Sequence, residues 1–251
     1  GIQTAAIAFG GYRDVPPDTY YANTELYDGT SWTEVNDLGT GRVGIRGSGT
    51  STSAIGSGGD TGPAQVALSE SWNGTNWTEV NDLNQARTAA GAAGADNTSS
   101  LIFGGNLAST LYGLTETWNG SNWTEVNNLN TARSNVVGTG TATAALAFGG
   151  LNPTSSYKTE TESWNGTNWT EVSDLNTARS RMGAAGTVPA ALGFGGQIST
   201  AAVSALTEEW NGTSWTETSD LGTARMELGG RGTTSNALAF AGKATATTAV
   251  T

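Results

Sequence analysis

Neither cysteine nor histidine occurs in this chain of 251 residues. Disulfides, thiol nucleophiles, Cys/His zinc sites and imidazole bases are therefore excluded together. The redox compartment stays open, because an extracellular protein can dispense with disulfides. Charge is scarce as well, at 13% of residues, and positive charge is the minority: 11 Lys and Arg against 22 Asp and Glu, a net −11. Such a balance disfavours a nucleic-acid backbone as partner. The acidic residues are dispersed and serve solubility. No apolar run approaches the length of a membrane span, so no membrane insertion is expected. The opening "GIQTAAIAFGG" lacks the basic segment that begins a signal peptide; the chain is expected either to be a processed form or to reach its location within a larger assembly. Hydrophobic residues make up only 36%. Gly, Thr, Ala, Ser and Asn dominate the rest, a composition that suits short strands and turns and suits long helices poorly.

What the chain does contain is repetition. The words "ETWNGSNWTEVNNLNTAR" at residues 116–133 return as "ESWNGTNWTEVNDLNQAR", "ESWNGTNWTEVSDLNTAR" and "EEWNGTSWTETSDLGTAR", and more loosely as "ELYDGTSWTEVNDLGTGR". One aromatic recurs at Tyr27, Trp72, Trp118, Trp164 and Trp210, a second at Trp32, Trp77, Trp123, Trp169 and Trp215, and an arginine at Arg42, Arg87, Arg133, Arg179 and Arg225. A glycine pair closes an apolar run five times, from Gly10-Gly11 to Gly195-Gly196, and a degenerate sixth copy reads "AFAG" at residues 239–242. Each unit reads as four short strands. The first follows the arginine, the second is the apolar run before the glycines, the third carries "TETW" and the fourth "WTEV". Asn-Gly or Asp-Gly between third and fourth is a strong hairpin signal, which places the two aromatics across a tight turn.

Four-stranded units of this length predict an all-β fold, a β-propeller of antiparallel blades, as one domain over residues 1–251. An apolar strand ending in Gly-Gly, an aromatic in the third strand, Trp about five residues later, then Leu and Arg, resembles the kelch repeat. The likeness covers essentially the whole chain; Ser57 stands where other units have Phe, and Trp mostly replaces the kelch Tyr. The motif is also similar to the WNGTxWTEVNDLNTAR repeat arrays of marine bacteriophage structural proteins. First, third and fourth strands number five, but second strands number six. Five blades are expected, with an incomplete sixth as the alternative. Closure would join the strand beginning near Met226 to the strands around residues 25–35, leaving one terminal second strand redundant: displaced, swapped with a partner chain, or the mark of a longer array.

All nine Trp, Tyr27 and all five Phe fall at repeat positions, which reads as inter-blade core rather than a ligand platform. Each indole N–H then needs a backbone or Thr oxygen. Glu25, Glu70, Glu116, Glu162 and Glu208 precede the first aromatic by two and are expected to pair with the arginines. Paired carboxylates could serve glycoside hydrolysis, but five equivalent copies argue against one catalytic pair. "NGTNW" resembles the Asp-box turn of sialidases, a structural element there, and the chain shows no arginine cluster with a Tyr nucleophile. Galactose oxidase shares the kelch-type propeller, yet its copper site requires His and a Tyr–Cys crosslink. Sequons at Asn73, Asn76, Asn97, Asn119 and Asn165 repeat with the turns and read as turn residues. No catalytic residue, cofactor or metal ligand is assigned.

The units disagree mainly between second and third strands: "YRDVPPDTYYAN", "DTGPAQVA", "NLASTLYG", "LNPTSSYK" and "QISTAAVSA". In an antiparallel blade these loops share one face with the connections between blades. Binding residues concentrate on loops held by a rigid scaffold, and Tyr is a favoured contact residue. Tyr12, Arg13, Tyr20, Tyr21, Tyr112 and Tyr157 are therefore the candidate binding residues. The reading is a non-enzymatic structural or recognition module, extracellular or virion-associated, such as a phage particle or fibre component. Its partners would be other structural proteins of the same assembly, or a cell-surface receptor or glycan. The alternative is a secreted lectin with repeated carbohydrate sites between blades.

Overall fold

A computed structural model describes residues 2–13 and 18–244. Among them every regular element is a strand. The fold is a five-bladed β-propeller. Four blades are continuous antiparallel sheets in sequence order, each of four strands. Blade 1 comprises Arg46–Gly49, Ala54–Ser57, Ser69–Trp72 and Trp77–Val80; blade 2 comprises Gly91–Asp96, Ser99–Phe103, Thr115–Trp118 and Trp123–Val126. Blade 3 comprises Val137–Thr141, Ala144–Phe148, Thr161–Trp164 and Trp169–Val172; blade 4 comprises Gly183–Thr187, Ala190–Phe194, Thr207–Trp210 and Trp215–Glu217. Five innermost strands surround an axial channel of about 270 Å³, lined by stretches within residues 47–50, 92–95, 138–141, 184–187 and 230–232. Gly, Ala, Ser and Thr dominate there because the strands converge.

The repeated aromatics are the mortar. Trp118 lies opposite Trp123 in register, their rings 5.4 Å apart. The turn between such pairs spans four residues rather than two. In residues 73–76 the Asn73 side chain accepts the N–H groups of Thr75 and Asn76, both at 2.9 Å, and only Gly74 takes a positive φ, +95°. Asn119, Asn165 and Asn211 repeat this arrangement, so the Asn-Gly signal locates the hairpin through an Asx turn. The third-strand Trp of each complete blade donates its indole N–H to a carbonyl of the hairpin between first and second strands, as Trp164 does to Ala142 at 3.0 Å. The fourth-strand Trp reaches the preceding unit: Trp169 donates to Thr115 at 3.0 Å and Trp215 to Thr161 at 3.1 Å. Phe103 and Phe148 point the other way, against Trp169 and Trp215 of the following blade at 4.8 Å. A Cβ at Gly138 would lie 2.3 Å from the Phe103 ring, which is why that strand position carries glycine.

Both chain ends close the ring. Gly229–Thr233 pairs with Asn236–Phe240, and Ala6–Phe9 pairs with Thr24–Tyr27, which pairs with Trp32–Val35. The expected ladder between the strand after Arg225 and residues 25–35 is not formed. The two sheets meet instead through side chains, Phe240 against Trp32 at 5.1 Å, while Arg231 reaches past them to blade 1, donating to the Gly47 carbonyl at 3.3 Å. Both terminal second strands stay seated. The reason is local: Ala6–Phe9 keeps full register with Thr24–Tyr27, and Phe9 packs on Trp77 at 4.7 Å. Displacing it would uncover both.

Two residues after each repeat arginine the backbone enters the left-handed region, at Gly44, Ala89, Asn135, Arg181 and Glu227, with φ between +50° and +65°. Backbone hydrogen bonds link four of these around the ring: Asn135 N–H to Ala89, Arg181 N–H to Asn135 and Glu227 N–H to Arg181. Only Gly44 occupies this region without a Cβ penalty. Ala89→Gly is expected to stabilise the protein by about 0.5–1 kcal/mol, after allowing for the greater freedom of Gly in the unfolded chain. Chemical denaturation checks this; a clear loss of stability would show that the Ala89 methyl packs more than it strains.

Candidate functional site

The variable loops share one face with the connections between blades. Isolated bridges tie the two sets together: Val43 with Asp60, Thr88 with Asn106, Ser134 with Leu151, Ser180 with Gln197 and Met226 with Lys243. Three of the loops fold further into short hairpins, Tyr12–Arg13 with Thr19–Tyr20, Asn106–Leu107 with Thr110–Leu111, and Gln197–Ser199 with Ala202–Val203. Residues 14–17 of the first loop lie outside the described residues.

The six predicted binding residues fall into separate places. Tyr12 and Tyr20 are register partners with rings 5.1 Å apart, and Arg13 follows on the same short strand. Tyr12 and Arg13 are exposed, Tyr20 half-buried. The Tyr20 ring extends over blade 1, where a Cβ on Gly62 would fall 2.6 Å from it. Tyr21 is half-buried, its carbonyl accepting the Arg42 N–H at 3.1 Å. Tyr112 and Tyr157 are half-buried in the loops of blades 2 and 3. Tyr112 is held by its backbone, donating to Gly105 at 2.8 Å and accepting from Arg133 at 3.3 Å, and Tyr157 bridges Leu151. The structure thus joins Tyr12, Arg13 and Tyr20 and leaves Tyr112 and Tyr157 in their own blades.

The glutamates and arginines pair within a blade, four times over. Arg133 donates to the Gly149 carbonyl at 2.9 Å, to the Glu160 carbonyl at 2.6 Å and to the Glu162 carboxylate at 2.7 Å. The second oxygen of Glu162 accepts the Asn130 N–H at 2.7 Å. Arg42–Glu70, Arg87–Glu116 and Arg179–Glu208 repeat the ion pair at 2.6–2.7 Å, with the guanidinium fully buried each time. Burial lowers the pKa of Arg42, Arg87 and Arg179, and the facing glutamate opposes that shift. These groups order the segment between blades and anchor it to the next sheet.

The closing unit departs from the pattern. Glu25 is exposed, and among the described residues no arginine pairs with it; Arg225 donates to the Ala241 carbonyl at 3.0 Å and likewise meets no carboxylate there. Beside Glu25 opens a cavity of about 310 Å³, lined by Ala8, Phe9, Gly10, Tyr21, Asn23 and Glu34 as well. Repeat logic could have located it: Glu25 comes before the first arginine of the repeat series, and Arg225 after the last glutamate. No protein-family model matches the chain, and no curated protein matches it either.

Proposed function

We propose that the chain is a non-enzymatic recognition and structural module of kelch type, a component of a phage particle or fibre, extracellular or virion-associated. The observation that carries this reading is the contrast between two classes of aromatic. Those of the repeat are consumed in the blades, as Trp72 and Trp164 at full burial illustrate, whereas the Tyr12/Tyr20 pair with Arg13 stands on the loop face. Rigid blades that present non-repeated tyrosines suit one asymmetric partner, another structural protein of the same assembly or a cell-surface receptor or glycan.

The test is binding of the labelled chain to whole bacterial cells and to a glycan array. Saturable binding is expected, and the double variant Tyr12→Ser/Tyr20→Ser should weaken it at least tenfold while the far-ultraviolet spectrum and unfolding midpoint stay near wild type. Binding unchanged by that variant would remove the loop face from the reading. Binding by every blade in equal stoichiometry would favour the lectin reading.

A further inference from the structure

The strongest unassigned feature is the cavity at Glu25, because the molecule contains four filled versions of it. In blades 1 and 3 and 4 a guanidinium is held by the carbonyl of the first paired glycine, the carbonyl two residues before the glutamate, and the glutamate itself. For Arg42 these are Gly58 at 2.8 Å, Leu68 at 2.7 Å and Glu70 at 2.7 Å. For Arg179 they are Gly195 at 3.0 Å, Leu206 at 2.6 Å and Glu208 at 2.7 Å. In blade 2 Arg87 reaches Leu114 at 3.1 Å and Glu116 at 2.6 Å.

The N-terminal sheet presents the same acceptors in the same order: Gly10, Asn23 and Glu25, all lining the cavity. The local scaffold matches too. The Gly10 N–H donates to the Asn23 carbonyl at 3.0 Å, as Gly58 does to Leu68 at 3.0 Å. Glu34 stands directly opposite Glu25 in register, as Glu79 stands opposite Glu70, and adds a second negative charge. Ala6–Phe9 is an edge strand, so one side of it carries no partner strand among the described residues. In each complete blade that side is taken by the strand that follows the arginine.

We propose that the Glu25 cavity is a binding site for the arginine of an extended segment of another polypeptide. That segment has the chemistry of the chain's own Asn-Thr-Ala-Arg turn and the small-residue strand after it. Its guanidinium takes the Gly10 and Asn23 carbonyls and one oxygen of Glu25. A backbone N–H three residues earlier takes the other oxygen, as Asn130 does on Glu162. The strand after the arginine adds to the free edge of Ala6–Phe9, so main-chain hydrogen bonds supply affinity and the guanidinium supplies register. This site is distinct from the Tyr12/Tyr20 hairpin and stands or falls separately from the recognition reading.

A synthetic peptide with the sequence of residues 130–141, NTARSNVVGTGT, added to the full chain tests the assignment by NMR titration. Saturable shifts confined to residues around Gly10, Asn23 and Glu25 are expected. Replacing the peptide arginine by glutamine, or Glu25 by Gln in the protein, should weaken binding at least tenfold; Glu25 is exposed, so E25Q is expected to fold as wild type. No binding, or equal binding of the arginine and glutamine peptides, would overturn the proposal. Sedimentation of the chain alone identifies one source: self-association lost in both E25Q and R225Q would support the site and show that a second copy supplies the segment through Arg225. Self-association untouched by E25Q, in a protein that also ignores the peptide, would count against it.

Discussion

Glu116→Gln is expected to lower stability by about 3–5 kcal/mol, the range found when one partner of a buried ion pair is removed. For a chain of this size that corresponds to a fall in melting temperature of roughly 10 °C. The substitution leaves the Arg87 guanidinium, which is fully buried, without its counter-charge. It also weakens the acceptor for the backbone N–H and side-chain amide of Asn84, both at 2.8 Å. The matched control is Glu25→Gln, which alters the same repeat position where no arginine among the described residues is bound; a change within about 0.5 kcal/mol is expected there. Thermal unfolding of the two variants side by side decides the matter. Equal behaviour would mean that the buried pairs hold geometry without holding stability. The double variant Arg87→Leu/Glu116→Leu should recover part of the loss, because well-packed apolar side chains avoid the desolvation cost of both ions.

Trp169→Ala should cost about 3–5 kcal/mol, the usual effect of truncating a buried aromatic. Its indole is buried between blades 2 and 3, stacks edge-on against Phe103 at 4.8 Å and donates to Thr115 at 3.0 Å. Removal opens a cavity, strips the fully buried Phe103 ring of its cover and leaves a buried hydroxyl without its donor. Trp32 holds the corresponding position at the closure, half-buried against Phe240, so Trp32→Ala should cost about half as much or less. Denaturant unfolding of both measures the difference. If Trp32→Ala were the more damaging, the closure would be the strongest joint of the ring rather than its weakest.

Much of this architecture can be read from the sequence because the chain states it five times. A Trp locked to one offset from a Gly-Gly pair and from an arginine has the same neighbours in each unit, so blade count, strand order and the packing role of the aromatics follow from arithmetic. The Glu–Arg pairing follows in the same way, since two residue types of opposite charge recur in step. The closure is where that arithmetic fails. Phe9 and Phe240 each fill the second-strand position with full pairing of their own, and nothing in their local sequence tells which sheet joins which. Side-chain contacts across the seam decided it. The candidate binding residues are legible in a coarser way: loop membership and residue type place Tyr12, Tyr20, Tyr112 and Tyr157 on one face, and the register adds that only Tyr12 and Tyr20 are paired. Tyr112 and Tyr157 are half-buried and tied by backbone bonds within separate blades, which composition does not encode. The Glu25 cavity needs both kinds of information, the repeat to show that this position is paired in the other units and the structure to show that no arginine among the described residues pairs with it.

The contacts between blades carry a consequence for how the ring comes into being. Trp215 reaches Thr161 across 54 positions of sequence, and Asn127 grips the turn of the next unit across 41. Joints of this kind become available as soon as one more unit has been made. The bond from Arg231 to Gly47 spans 184 positions. Loop-closure entropy therefore weighs lightly on every joint but the last, and order can spread along the chain as a front, one unit templating the next. The circle is thus joined by the contacts of greatest sequence separation, and the entropy of closing it falls on one seam rather than being shared among the blades.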